Sequence, residues 1–438
     1  MGKNQKSFVI FVFTFIISGW LAGAQAEELF IEPENAVVPL VDEIRFIGNK
    51  TTKPQIMLQE MIIAVGDPVN ARLIEKSRQY IMNLKLFQTV KAEMVEEDFK
   101  NILQITVDEK FYILPLPRVN RNSDGDIKAG GEVRWDNIMG LNQRLKVSWD
   151  RTRAAENDIN DRDQSQINYT YPRMFGTPFT FDINTKRKTT NLEDVTDAGE
   201  NVVAEQVGVF SSFNFFRWHD RYGPSRGLRY GAGMSRGVVK FDTKTGPDDF
   251  FVSTRLVTLD LGVAYEAVQQ LEWSRTGHEY GYNIAIGLRG LGSEQGHTTN
   301  TIFYRSYYHI FGIPNYNLNS QVRFGFSNFR DKALAIGGAD SLRGYSRAEF
   351  TGNAMFLLNL EYLMPVWGYK PIRFLLFTDI GNTYPKLSEV DLGDLKFVIG
   401  SGLRWKVRQL VKTDLRLDVA YAPETGETRV IASTNESF

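Results

Sequence analysis

The chain has 438 residues, 42% of them hydrophobic and 24% charged, and its 52 acidic residues nearly cancel its 51 basic ones. That balance argues against a nucleic-acid-binding protein and gives no electrostatic hint of a partner. There is no cysteine, which removes both a disulfide framework and a thiolate metal site.

The N-terminus reads as a secretory signal. Lys3 and Lys6 supply positive charge, Phe8 to Leu21 is apolar, and Ala24-Gln25-Ala26 is an A-x-A cleavage site. The apolar run is shorter than the roughly 20 residues of a spanning helix. Residues 1–26 are therefore expected to be removed, with 27–39 as a linker.

Residues 40–109 change periodicity in the order β-α-α-β-β. Ile44 and Phe46 alternate before a Gly48-Asn49 turn, and Thr52 and Gln55, with Pro54 between them, have the spacing of a capping box. Gly66-Asp67-Pro68 breaks the chain. A second helix predicted from Asn70 to Leu86 puts Leu73, Ser77, Tyr80, Ile81 and Leu84 on one face. Two strands follow, one with Val90, Ala92 and Met94 inward, the other with Leu103, Ile105 and Val107.

From residue 110 to 438 the pattern is β throughout, with about sixteen strands, an even number as in bacterial barrels. Leu145, Val147 and Trp149 alternate with Arg144, Lys146, Ser148 and Asp150, while Leu415, Leu417, Val419 and Tyr421 alternate with Asp414, Arg416 and Asp418. Short connections (136–142, 172–178, 311–317, 365–371, 408–412) alternate with polar ones (151–164, 186–201, 242–249, 330–351, 382–394). Short turns on one rim and long loops on the other fit a transmembrane antiparallel β-barrel better than a sandwich. Downstream of the signal no apolar run is long enough for a helix, so the membrane must be crossed by strands. The 13% aromatic content suits interfacial girdles.

Chemistry is weakly signalled. Gly233-Met234-Ser235-Arg236-Gly237 has the spacing of a nucleophile elbow, but that elbow opens a helix, whereas Val238, Val239, Lys240 and Phe241 continue a strand. His219, His278, His297 and His309 are scattered, and Asp124-Gly125 reads as a hairpin turn in place of a calcium loop. The expectation is no enzyme, cofactor or metal.

The most informative stretch is Gly337-Gly338-Ala339-Asp340-Ser341-Leu342-Arg343-Gly344-Tyr345, followed by Phe377-Thr378-Asp379-Ile380-Gly381 and a terminal Phe438. Together these resemble the outer membrane protein 85 superfamily. Residues 40–109 are similar to a single POTRA domain, including Gly48-Asn49, Gly66-Asp67 and Leu84-Lys85-Leu86-Phe87, where assembly members of the family usually carry several. Asp136 to Gly140 resembles the first periplasmic turn, and Gly352-Asn353-Ala354-Met355 with Glu361 the strand after the long sixth loop. The resemblance implies that this loop folds into the lumen, with Arg343, Gly344 and Tyr345 at its tip and Arg343 on Asp379. Parity also turns Asp379 and Glu361 inward, because Phe374, Leu376 and Ile380 take the lipid face.

The implied function is assembly or translocation. A periplasmic domain would receive unfolded or partly folded outer-membrane or secreted clients by β-augmentation and pass them to the barrel wall in the outer membrane, among its lipids. The alternative is a passive pore or structural barrel. What separates the two is a weak seam between first and last strands. Pro115 and Pro117 lie in the first strand, where proline cannot donate to a ladder, and Phe438 lies in the last, beside a poorly placed Glu436. Client identity, accessory periplasmic proteins and self-association stay open.

Overall fold

The computed structural model describes residues 39–121, 127–153, 162–196, 199–220, 225–313, 315–330, 333–407, 409–410 and 414–433. The signal segment, the linker up to residue 38, the Asp124-Gly125 turn, Glu436 and Phe438 lie outside the described residues.

The N-terminal unit runs β1 (Glu43–Ile47), α1 (Pro54–Leu58), α2 (Ala71–Asn83), β2 (Phe87–Glu97) and β3 (Lys100–Glu109). In its sheet β3 lies in the middle, parallel to β1 and antiparallel to β2. Alternation along β2 and β3 turns Val90, Leu103, Ile105 and Val107 toward the helices, where they bury against Met57, Ile81, Leu86 and Phe87. Gly48 closes the turn after β1 with φ +91°, and a Cβ there would sit 2.1 Å from the Val107 carbonyl oxygen, so no side chain fits.

Two helix expectations are corrected. α1 is capped by Lys53 with no side-chain hydrogen bond, because the Thr52 hydroxyl is used elsewhere: it lies 3.1 Å from the Tyr112 hydroxyl and accepts from Asn137 Nδ2 at 2.8 Å. α2 begins as expected with Asn70 as N-cap, its side chain accepting from Leu73 N at 2.9 Å. It stops at Asn83, since Lys85 turns left-handed (φ 64°) to bring Leu86 and Phe87 into the core.

The second unit is a closed barrel. Its strands are β4 (Ile113–Arg121), β5 (Ile127–Ile138), β6 (Gln143–Arg153), β7 (Arg162–Tyr171), β8 (Phe179–Val195), β9 (Asn201–Trp218), β10 (Gly227–Thr245), β11 (Thr254–Glu266), β12 (Gln269–Gln270), β13 (Arg275–Gly287), β14 (Thr298–His309) and β15 (Asn317–Ser327). After the short β16 (Leu334–Ile336) and β17 (Phe350–Gly352), which pair with each other inside the long loop, come β18 (Ala354–Val366), β19 (Tyr369–Tyr384), β20 (Lys396–Lys406), β21 (Asp414–Ala422) and β22 (Glu427–Ser433). Sixteen long strands and the two-residue β12 close the ring, with β22 beside β4.

The outer wall is apolar and uncovered: Trp135, Trp149, Phe213, Leu376, Ile399, Trp405 and Val419 are each more than 40% exposed. The residues between them in sequence, such as Glu132, Ser148, Asp150, Asp379 and Asp418, are buried in the lumen. An apolar surface of this extent is untenable in water; with every strand paired, it is the surface a bilayer solvates.

The expected loops 186–201 and 242–249 are largely strand. β8 continues to Val195 and β10 to Thr245, pairing with β9 throughout. On this extension Asn191, Glu193 and Asp194 are exposed, whereas Thr190, Val202 and Ala204 are buried on its inner face.

Candidate functional site

The long loop between β15 and β18 turns into the barrel and is held by one arginine. Arg343 Nε and Nη2 form a fork on Asp379, 2.8 and 2.6 Å from its two carboxylate oxygens, and the Arg343 backbone N–H donates to the same group at 3.1 Å. Nη1 donates to Glu361 at 2.7 Å and to Asp418 at 3.4 Å. The guanidinium carbon stands 3.5 Å from the centre of the Phe377 ring, a cation–π contact. Arg343 is 1% exposed and Asp379 0%, so these partners replace the whole hydration shell of the guanidinium.

The fold makes this cluster by parity. Asp379 and Phe377 are two apart on β19, and Glu361 lies on β18 in register with Phe377, so all three face inward together. Two further cations complete it. Arg404 on β20 donates to both oxygens of Asp418, at 3.1 Å from Nη2, and stands 3.5 Å from Glu361; Arg416 Nε donates to Asp418 at 2.7 Å. Three arginines thus face three carboxylates. Asn359 bridges to the loop, donating to the Ser341 carbonyl and to Asp379, both at 2.7 Å.

The rest of the loop packs as a small lumenal core. Leu342 and Tyr345 are buried with Ile336, Leu357, Leu375, Phe377, Val398 and Ala420, and the Tyr345 hydroxyl donates to Glu424 at 3.2 Å. Gly344 passes close to the wall: a Cβ there would be 2.9 Å from Ala422 Cβ and 3.1 Å from Val398 Cγ2. Below the cluster a cavity of about 30 Å³, lined by Asn319, Glu361, Arg373 and Arg404 among others, has room for a water or two.

The structure therefore brings together Arg343, Asp379 and Glu361 and places Gly344 and Tyr345 beside them. Sequence reasoning missed Asp418, Arg404, Arg416, Asn359 and Phe377 as members. Parity had already turned Asp418 and Arg416 inward, but which inward charges meet depends on where the loop tip lands.

Pro115 and Pro117 lie on the lipid-facing side of β4. The Tyr112 carbonyl accepts from Asp136 N at 2.7 Å, so alternate residues from Tyr112 onward bond to β5, and the residues between them, including both prolines, face β22. The edge of β4 toward β22 therefore lacks two donors. β22 is the shortest of the sixteen long strands among the described residues, at seven.

The N-terminal unit sits over the turns at one rim of the barrel. Glu60, buried after α1, accepts from Arg173 at 3.0 Å and from the Ser225 backbone and hydroxyl at 2.6 and 2.7 Å. Lys53 N donates to the Gly140 carbonyl at 3.0 Å, and Gln79 and Asn83 of α2 bond the Gln270 backbone at 2.7 and 2.8 Å. Tyr112, at the junction, has its phenol raised well above the usual range by burial, so it acts as a neutral hydrogen-bonding group.

A closed membrane barrel whose long loop is pinned in the lumen, with a small α+β unit across its mouth, defines the class. A family model described as the Omp85 superfamily domain matches residues 137–428, and a POTRA model, described as a surface antigen variable number repeat, matches residues 39–110. The chain belongs to the Omp85 superfamily and carries one POTRA domain. It is 21% identical over 393 residues to the outer membrane protein assembly factor BamA of Nitratidesulfovibrio vulgaris, covering 84% of this chain and 47% of that protein. The chain thus spans about half the length of that curated relative.

Among solved structures it is similar in fold to CdiB from Escherichia coli (TM-score 0.64, 13% identity, 90% of this chain and 76% of that one) and CdiB from Acinetobacter baumannii (0.59, 13%, 90% and 73%). A third is BamA from Haemophilus ducreyi lacking POTRA domains 1-3 (0.51, 16%, 90% and 84%).

Proposed function

We propose that this chain is an outer-membrane assembly or translocation factor. Its POTRA domain, in the periplasm, receives client polypeptides, and its barrel inserts or exports them. The observation that carries this reading is the lumen itself. The loop tip is packed against the wall with Leu342 fully buried, the cavity beneath it holds only about 30 Å³, and the POTRA domain is bonded across four periplasmic turns. A passive pore is served by an open channel and a sealed wall; a barrel with a loop pinned in its lumen, a domain across its mouth and a donor-poor edge on β4 is suited to work at its wall. The exposed edge of the POTRA sheet offers main-chain groups to extended clients of many sequences.

The test is depletion of the protein followed by quantitative proteomics of the outer membrane. Loss of many barrels marks a general factor, and loss of one or two marks a dedicated one. An unchanged proteome would contradict the proposal and favour a passive pore.

A further inference from the structure

The lumen wall opposite the arginine cluster holds positive charge that the loop lock does not use. On β8, Lys186 and Lys188 point inward, because Lys186 is in register with Gln166, which pairs with Ser148 and through it Glu132, a row of lumenal residues. Being two apart on one strand, the lysines are about 7 Å from each other. Arg162 on β7 and Arg347, on the long loop just past the lock, add like charge to both. Nearby carboxylates are engaged: Asp150 holds Arg118 at 2.7 Å and Lys128 at 3.4 Å, and Glu132 holds Arg134 and Lys146. Among the described residues no carboxylate pairs with Lys186 or Lys188.

Next to them stands an aromatic that faces the lumen instead of lipid. Phe210 on β9 is in register with Lys186, is 41% exposed, and lies along the bare backbone of Gly237, where a Cβ would be 3.1 Å from its ring. Gln164 and Gln166, in register with Lys188 and Lys186, complete the floor.

Half-buried like charges repel one another and are relieved by an anion. A headgroup whose acyl chains stay in the bilayer does not reach across the wall, and a free inorganic anion has no use for Phe210 or the amides. An extended polypeptide repeats its side chains every second residue at about 7 Å, the spacing of the two lysines. We propose that this face binds an acidic, extended segment of polypeptide, with carboxylates at alternate positions on Lys186 and Lys188 and an apolar residue against Phe210. That the segment belongs to a client rests on the function proposed above.

The test uses the purified full-length chain in detergent and a fluorescein-labelled peptide alternating Glu and Thr, read by fluorescence anisotropy. The wild type should bind it, with affinity falling as salt rises, and should ignore the matching Gln/Thr peptide. K186Q/K188Q should weaken binding by at least about tenfold, the loss expected of one charge-assisted hydrogen bond; K100Q, at the exposed β2–β3 hairpin, should not. Circular dichroism confirms that both variants are folded. No binding, equal binding by K186Q/K188Q, or displacement of the peptide by inorganic phosphate or phosphatidylglycerol at lower concentration than by unlabelled peptide would overturn the site. Lysine-dependent binding together with an outer-membrane proteome unchanged by depletion would leave the site standing and remove the client reading alone.

Discussion

Removing the Arg343 side chain should unseat the long loop. In Arg343→Ala the cluster keeps three carboxylates against two arginines, all nearly fully buried. Asp379 loses its fork and keeps the Asn359 amide at 2.7 Å and, while the loop stays seated, the backbone N–H of position 343 at 3.1 Å. Leaving a buried charge without its partner typically costs about 3 to 5 kcal/mol. At 1.4 kcal/mol per tenfold, the seated-to-unseated ratio should fall by roughly 100-fold to a few thousand-fold. The chain contains no cysteine, so a single reporter suffices: Leu342→Cys, at a side chain with 0% exposure. Maleimide labelling should be slow in L342C, fast in L342C/R343A and intermediate in L342C/R343K, because lysine keeps the charge but cannot make the planar fork. Equal labelling of L342C and L342C/R343A would refute the lock and leave the loop held by its apolar contacts alone.

Other perturbations separate the remaining contacts. Glu60→Ala removes three hydrogen bonds between the POTRA domain and the barrel rim, so amide exchange at Ser225 should accelerate; unchanged exchange would mean that the domain is held by other contacts. Gly344→Val drives a branched side chain into Val398 and Ala422 and should cost about 1 to 3 kcal/mol as overpacking, seen as a lower midpoint of heat-induced gel mobility change. Tyr112→Phe should cost about 1 kcal/mol in denaturant unfolding, with no pH dependence near neutrality because burial keeps the phenol protonated.

Much of the fold was legible because both of its periodicities were strong. Period-2 alternation with segregated turns predicts the barrel and orients Asp379 and Glu361, and the apolar faces of α2, β2 and β3 meet as their spacing requires. What misled was polarity used as a proxy for loops: Thr189 to Val195 carry no apolar stripe, yet the chain stays on its ladder beyond the bilayer, where such a stripe has no purpose. Thr52 misled for a different reason. Its spacing to Gln55 fits a capping box, but a hydroxyl serves whichever partner packing brings, and here that is Tyr112 and Asn137. The triple-arginine cluster and the Glu60, Arg173 and Ser225 junction join residues up to 165 positions apart, and no local pattern encodes such meetings.

If clients are handled at the seam between β4 and β22, as proposed, locking that seam should stop the protein's work. A cysteine pair, one on β4 near Ile113 to Val119 and one on β22, can be oxidised to a disulfide in the otherwise cysteine-free chain, and client assembly is followed in the same cells before and after reduction. Oxidation should stop the arrival of new client barrels in the outer membrane and reductant should restore it, while the same pair placed across β13 and β14 has no effect. If the crosslinked seam supports client assembly as well as the reduced one, the wall does not open there and the mechanism is wrong.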